Sequence, residues 1–167
     1  MVFENILLLV GGTLSGVLAG LLFIFSNTVV PALRSLKPQT HIEIMQIINV
    51  KILNPIFMAV FVGPSVLLAL AAFLMRGGAE FPYLLAAAAL QIIGVFGITG
   101  GGNVPLNNQL EKVDITRISD AEAEKLRNDY HGVGSRWMQL NAIRALAAAA
   151  ATALVLIACL VRSSARS

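Results

Sequence analysis

Four long stretches of this chain carry no charged residue: Asn5 to Leu33, Ile52 to Met75, Phe81 to Leu110, and Ala145 to Val161. Crossing a bilayer core takes roughly 20 mostly apolar residues in a helix, the element that satisfies its own backbone N–H and C=O groups where no water can. The first three runs reach that length, and the fourth does once Trp137 to Ile143 are added. The chain therefore reads as all-α, a single integral membrane domain over residues 1–167 built as a four-helix transmembrane bundle. Its spans are expected near 5–33, 54–75, 81–103 and 137–161. Composition agrees, since 13% of residues are charged where a soluble domain carries about 25%. The first run has no positive segment before it and is too long for a cleaved leader, so it reads as a retained helix.

The placement of charge says more than the net value of +3. With four spans, Arg76, Arg162 and Arg166 fall on the side of the termini. Arg34, Lys37, Lys51, Lys112, Arg117, Lys125, Arg127 and Arg136 fall on the other. Basic residues in short loops stay cytoplasmic, so loops 34–53 and 104–136 are expected in the cytoplasm of a bacterial cell, with both termini opposite. The partners implied are membrane lipid and a lipophilic small molecule. Nucleic acid is not among them, because the basic residues alternate with acids and form no stripe. Cys159, the one cysteine, lies deep in the fourth run and reads as a buried, inert thiol.

In the first run Gly12, Gly16 and Gly20 recur at a spacing of four, a ridge that lets helix backbones approach closely in lipid. Packing within the chain is the first reading, and a homo-oligomer through this ridge the second. "KPQTHIEIMQIINVKILNPIF" reads as a short interfacial helix before helix two. Thr40 and Glu43 have capping-box spacing, and Asn54-Pro55 an N-cap followed by an N1 proline. Gln46, Asn49 and Leu53 share one face and leave two amides for the bundle or for water. "FLMRGGAEFPYLL" reads as a tight turn without chemistry. "ISDAEAEKLRNDYHGVG" is a charged helical loop between helices three and four, with a capping box at Ser119/Glu122, an apolar edge of Ala123, Leu126 and Tyr130, and Gly132 as its stop.

Polar residues collect near one end of the bundle. Arg144 lies seven residues past Trp137, roughly 10 Å deeper along a helix. Trp137, Asn141 and Arg144 point in one direction. An arginine at the bilayer centre costs roughly 2.5 kcal/mol or more, so it needs acceptors. "ITGGGNVPLNNQLEKVD" can supply them: Asn103 and Asn107 flank Pro105, and three glycines permit either close helix approach or a bend that bares carbonyls. The end of helix three is thus expected to form a polar wall facing Arg144 across a pocket between helices three and four. The two histidines, His41 and His131, lie in the loops, and no cluster has metal-ligand spacing, so no metal is expected. No phosphate-binding glycine fingerprint occurs, and the spans hold no Asp or Glu, which argues against a proton-relay transporter.

"FSNTVVPAL", "MQIINVKILNP", "GVFGITGGGNVPLNNQL" and W-x-x-x-N-x-x-R (Trp137, Asn141, Arg144) follow one another along the chain. Over nearly its whole length the sequence resembles the anthrone oxygenase-like family of small four-helix integral membrane proteins. That resemblance implies oxidation of an enolisable lipophilic aromatic by molecular oxygen with no cofactor, neither metal nor flavin. It marks Asn103, Pro105 and Asn107 in helix three, Asn141 and Arg144 in helix four, and Gln46, Asn49, Asn54 and Pro55 before helix two. Leu140 and Ala142 stand where members often carry an aromatic and a histidine. On this reading Arg144 stabilises an enolate and His131 reaches in as base, while Asn103, Asn107, Asn141, Gln46, Asn49 and Trp137 bind substrate. The alternative is a non-enzymatic membrane protein, either a small-lipophile binder or a subunit of a membrane assembly.

Overall fold

The computed structural model describes residues 2–165, so Arg166 lies outside the described residues. Four helices are long and apolar enough to cross a membrane. The first runs through α1 (Val2–Ile24), a wide π-helical turn (Phe25–Val29) and α2 (Val30–Arg34). α3 (Pro38–Lys51) leads to the second span, α4 (Pro55–Leu74). The third is continuous from α5 (Phe81–Ala89) through π-helical turns at Leu90–Gly97 and Thr99–Asn103 into α6 (Val104–Glu111). α7 (Asp120–His131) precedes α8 (Arg136–Ser164), which carries the fourth. α1 packs against α4 and α8, and the third span packs against the same two, closing a four-membered ring.

The π turns at Phe25–Val29 and Thr99–Asn103 each sit just before a Val-Pro pair. Proline has no N–H, and its ring collides with the carbonyl four residues back. Widening the turn removes the clash: Val30 N–H reaches Phe25 O, and Val104 N–H reaches Thr99 O. Close helix approach and a bend were both open for the glycines before Pro105, and the helix was expected to be disrupted there; instead the third span stays helical to Glu111. Gly94 and Gly102 serve close approach, since a Cβ at Gly94 would stand 2.8 Å from the Ala147 Cβ and one at Gly102 2.8 Å from Leu140, while Gly100 and Gly101 have nothing within 4 Å. In α1, Gly12 and Gly16 face Val155 and Thr152 of α8, and Gly20 has nothing within 4 Å.

Helix ends follow local chemistry with one exception. Asn54 Oδ1 accepts from Phe57 N at 3.0 Å and starts α4 at Pro55. Ser119 and Glu122 form a reciprocal capping box. The box expected at Thr40/Glu43 does not form, because α3 already begins at Pro38, whose fixed φ nucleates the helix two residues earlier.

The turn read as inert holds a buried ion. Arg162 Nη1 meets Glu80 Oε1 at 2.6 Å, and Nη2 pairs with Glu4. This triad ties α1, the α4–α5 turn and α8 together, and it buries Arg162 on the side of the termini. Mid-bundle, the buried Gln91 donates to Ser15 Oγ at 2.6 Å, which lies 2.9 Å from Thr152 Oγ1. Cys159 is exposed on the outer surface of α8 rather than buried, because the inward face of that helix passes through Val155, Ala158 and Arg162 instead.

Gly94→Val should lower the stability of the detergent-solubilised protein by about 1–3 kcal/mol, the usual cost of overpacking. Gly100→Ala, where a Cβ meets nothing within 4 Å, should leave the thermal unfolding midpoint unchanged or raise it.

Candidate active site

α6 presents Val104, Asn107, Asn108 and Glu111 at i, i+3, i+4 and i+7, one continuous face. This face, the end of α3 with Asn49, and the start of α4 with Phe57 and Phe61 enclose a cavity of about 400 Å³ whose inner end is Thr99. Phe57 and Phe61 stack with centroids 5.7 Å apart and planes within 10°, and Phe96 continues the row at 5.6 Å. The cavity is therefore aromatic on one side, through Phe57 and Phe61, and lined by amide residues on the other.

Asn107 has a fixed orientation. Its Oδ1 accepts from Tyr130 Oη at 2.6 Å and from Trp137 Nε1 at 2.8 Å. An indole N–H can only donate, so the atom facing it must be the carbonyl oxygen. Nδ2 is turned away and finds no acceptor among the described residues. Asn49 adds a second amide to the lining, its Nδ2 buried beside the Tyr130 hydroxyl.

Behind Thr99 stands Arg144. Its Nη1 donates to Thr99 Oγ1 at 3.0 Å, its Nη2 to Asn141 Oδ1 at 2.5 Å, and its Cζ lies 5.9 Å from the centre of the Trp137 ring. Only 7% of it is exposed, and among the described residues no carboxylate pairs with it. The cation is held by neutral dipoles and an aromatic face. Asn141 in turn donates to Leu22 O at 2.9 Å and to Ser26 Oγ, in and just before the first π turn.

Of the residues expected to bind or catalyse, Asn49 and Asn107 line this cavity. Arg144 reaches it through Thr99. Gln46 instead caps the end of α6, donating to Leu110 O and Val113 O at 2.9 Å each. Asn103 donates to Trp137 O at 3.3 Å and joins the third span to α8. Trp137 and Asn141 act as supports, for Asn107 and Arg144 respectively. The cavity lies between α3, α4 and the third span, not where a pocket between helices three and four was expected. Thr99, Phe57, Phe61 and Glu111 escaped the sequence reading, although Phe57/Phe61 and Asn107/Glu111 each have the i, i+4 spacing of one helix face.

His131 is not a loop base either. It is buried at the end of α7, its Nδ1 2.9 Å from His41 Nε2 and its ring 4.6 Å from that of Trp137. Arg34 Nη1 holds the His131 carbonyl at 2.7 Å, and Arg127 Nη1 holds the Arg34 carbonyl at 3.1 Å. Burial pushes the His41 imidazole below its ordinary value of 6.5; the nearby Leu33 carbonyl opposes this, and Arg127 and Arg34 add to it. The pair latches α7 onto α3.

The structure thus defines a four-span helical bundle of membrane-protein type with an amide- and aromatic-lined cavity at its loop end. The sequence model of the family described as anthrone oxygenase matches residues 56–154, well over half of the chain, and the protein belongs to that family. The match takes in the cavity walls from α4 and the third span, together with Arg144 of α8, and leaves α3 with Asn49 outside. No curated protein and no solved structure matches the chain.

A depressed pKa in the folded state means the native protein binds fewer protons than the unfolded chain below the ordinary histidine range. The latch's contribution is full above pH 6.5 and is lost as pH falls, at about 1.4 kcal/mol for each unit of pKa difference. The thermal midpoint in detergent should drop between about pH 7.5 and 5. In a chain carrying both His41→Gln and His131→Gln the drop should shrink.

Proposed function

We propose that the protein oxidises an enolisable lipophilic aromatic ketone with molecular oxygen in the cavity between α3, α4 and α6, without metal or flavin. One observation carries this reading: stacked aromatic rings and the amide-bearing residues Asn49 and Asn107 line the same space of about 400 Å³. A cavity of that size suits a small polycyclic guest. Membership of the anthrone oxygenase family supports the reaction class. The flat guest stacks on Phe57 and Phe61, and its oxygens accept from Asn49 Nδ2 and Asn107 Nδ2.

The chemistry needs a carbon acid, a base and oxygen. The base takes a methylene proton, leaving an enolate whose charge sits on oxygen and on the ring carbon. That carbon gives its electron pair to O2, forming a C–O bond and a peroxide that takes the proton back. Loss of the second methylene proton breaks the O–O bond, forms the new carbonyl and releases water. One O2 is consumed for each quinone and water formed. Arg144, one side chain behind Thr99, stabilises the enolate; at about 6 Å and an effective dielectric near 20 its charge is worth about 3 kcal/mol. The distribution of basic residues favours a cavity opening toward the cytoplasm.

The purified protein in detergent, given anthrone, should consume one O2 per quinone formed. Asn107→Leu and Asn49→Leu should each lower kcat/KM by about 100–1000-fold, the range for losing one donor to an oxyanion. Arg144→Gln should lower kcat more than it raises KM. Tight anthrone binding by the wild type without oxygen uptake would instead favour a lipophile-binding protein.

A further inference from the structure

The proposed reaction needs a proton acceptor, and His131, buried against His41 and Trp137, does not line the cavity. Among the described residues that line it, the one carboxylate is Glu111. It lies on the same face of α6 as Asn107 and one turn further out, about 6 Å along the axis. That places it toward the wet rim, while Asn107, Thr99 and Arg144 hold the inner end. Glu111 is exposed and, among the described residues, makes no hydrogen bond or ion pair that would blunt it. Of the other carboxylates of this end, Asp114 is engaged with Thr116 and Arg117, Asp120 with Gln39, Glu122 with Ser119, and Glu124 with Arg127 and Asn128, while Glu43 and Asp129 lie outside the cavity lining.

We infer that Glu111 is the general base of the cavity and its route for protons to water. This rests on the oxygenase reading. A guest whose carbonyl oxygen meets the Asn49 and Asn107 amides directs its opposite, acidic methylene outward along α6, toward Glu111. The carboxylate takes a methylene proton and the enolate keeps the electron pair. Once the C–O bond to oxygen has formed, the same carboxyl group returns a proton to the peroxide. It then removes the second methylene proton as the O–O bond breaks, and the departing hydroxide takes that proton as water. A carboxylate is a weak base toward a carbon acid in water. Here the amide donors and the Arg144 charge stabilise the enolate, closing much of that gap. Rim exposure lets Glu111 exchange its proton with solvent.

The test uses the full-length protein in detergent with anthrone as substrate and anthraquinone as binding probe. Glu111→Gln should lower kcat about 100-fold while quinone binding stays within about twofold, and the acidic limb of the kcat/KM–pH profile should vanish. Glu111→Ala should recover part of its lost rate in added acetate, which a merely structural role would not produce. Wild-type turnover and an unchanged pH profile in Glu111→Gln would overturn the assignment of the base alone. Absence of oxygen uptake by the wild type itself would overturn the oxygenase reading, and this assignment with it.

Discussion

Arg144 is a buried cation whose partners are all neutral. An ion buried in a low-dielectric interior is ordinarily paired with an opposite charge, and the bundle has done this at its other end, where Glu4 and Glu80 surround Arg162. At the loop end the acceptors are Thr99, Asn141 and the face of Trp137. These dipoles solvate the guanidinium without cancelling its charge. Because Thr99 belongs to the third span and Asn141 reaches on to Leu22 in the first, the same cation also sets how three spans meet. Two buried arginines thus perform different work: one closes a bundle end, and the other leaves a positive field at the inner end of a cavity.

The spans, the order of the helices and the shared direction of Trp137, Asn141 and Arg144 were all legible in the sequence, because they depend on local hydropathy and a 3.6-residue period. Glycine next to proline misled. In water Gly100–Pro105 would read as a helix end, but broken backbone is costly at membrane depth. Shifting hydrogen bonds to the residue five back accommodates Pro105 while the axis continues. The Arg162–Glu80 pair spans 82 positions of sequence, and no periodicity within one helix can reveal a contact between helices that far apart. Cys159 was misjudged for a related reason: depth in an apolar run fixes the distance from the membrane surface, not which side of the helix faces the bundle.

At the site itself, Asn49 and Asn107 were found because an amide at the edge of an apolar run demands explanation. Phe57 and Phe61 were not, since aromatics on an apolar helix look the same whether they face lipid or a cavity. Glu111 fell just past the third apolar run and was read as loop; only the continuation of α6 puts it on the face of Asn107. His131 failed as a base for the opposite reason. The loop around it folds back, and the imidazole becomes part of the core with His41, Tyr130 and Trp137.

That folded-back helix governs the cavity indirectly. α7 is bound to the α2–α3 region through Arg34, Arg127, the histidine pair and Gln39–Asp120, so it is not a solvated connector. Its Tyr130 hydroxyl and the indole of α8 converge on one oxygen of Asn107. Flipping that amide would forfeit both bonds, at about 0.5–1.5 kcal/mol each, and would set its NH2 against an indole N–H. The Asn107 amide is therefore fixed in orientation, and on the proposed reading an oxyanion forming beside it needs no reorganisation of the protein. The charged loop, far from the aromatic wall in sequence, supplies the rigidity that a lone amide on a membrane helix lacks.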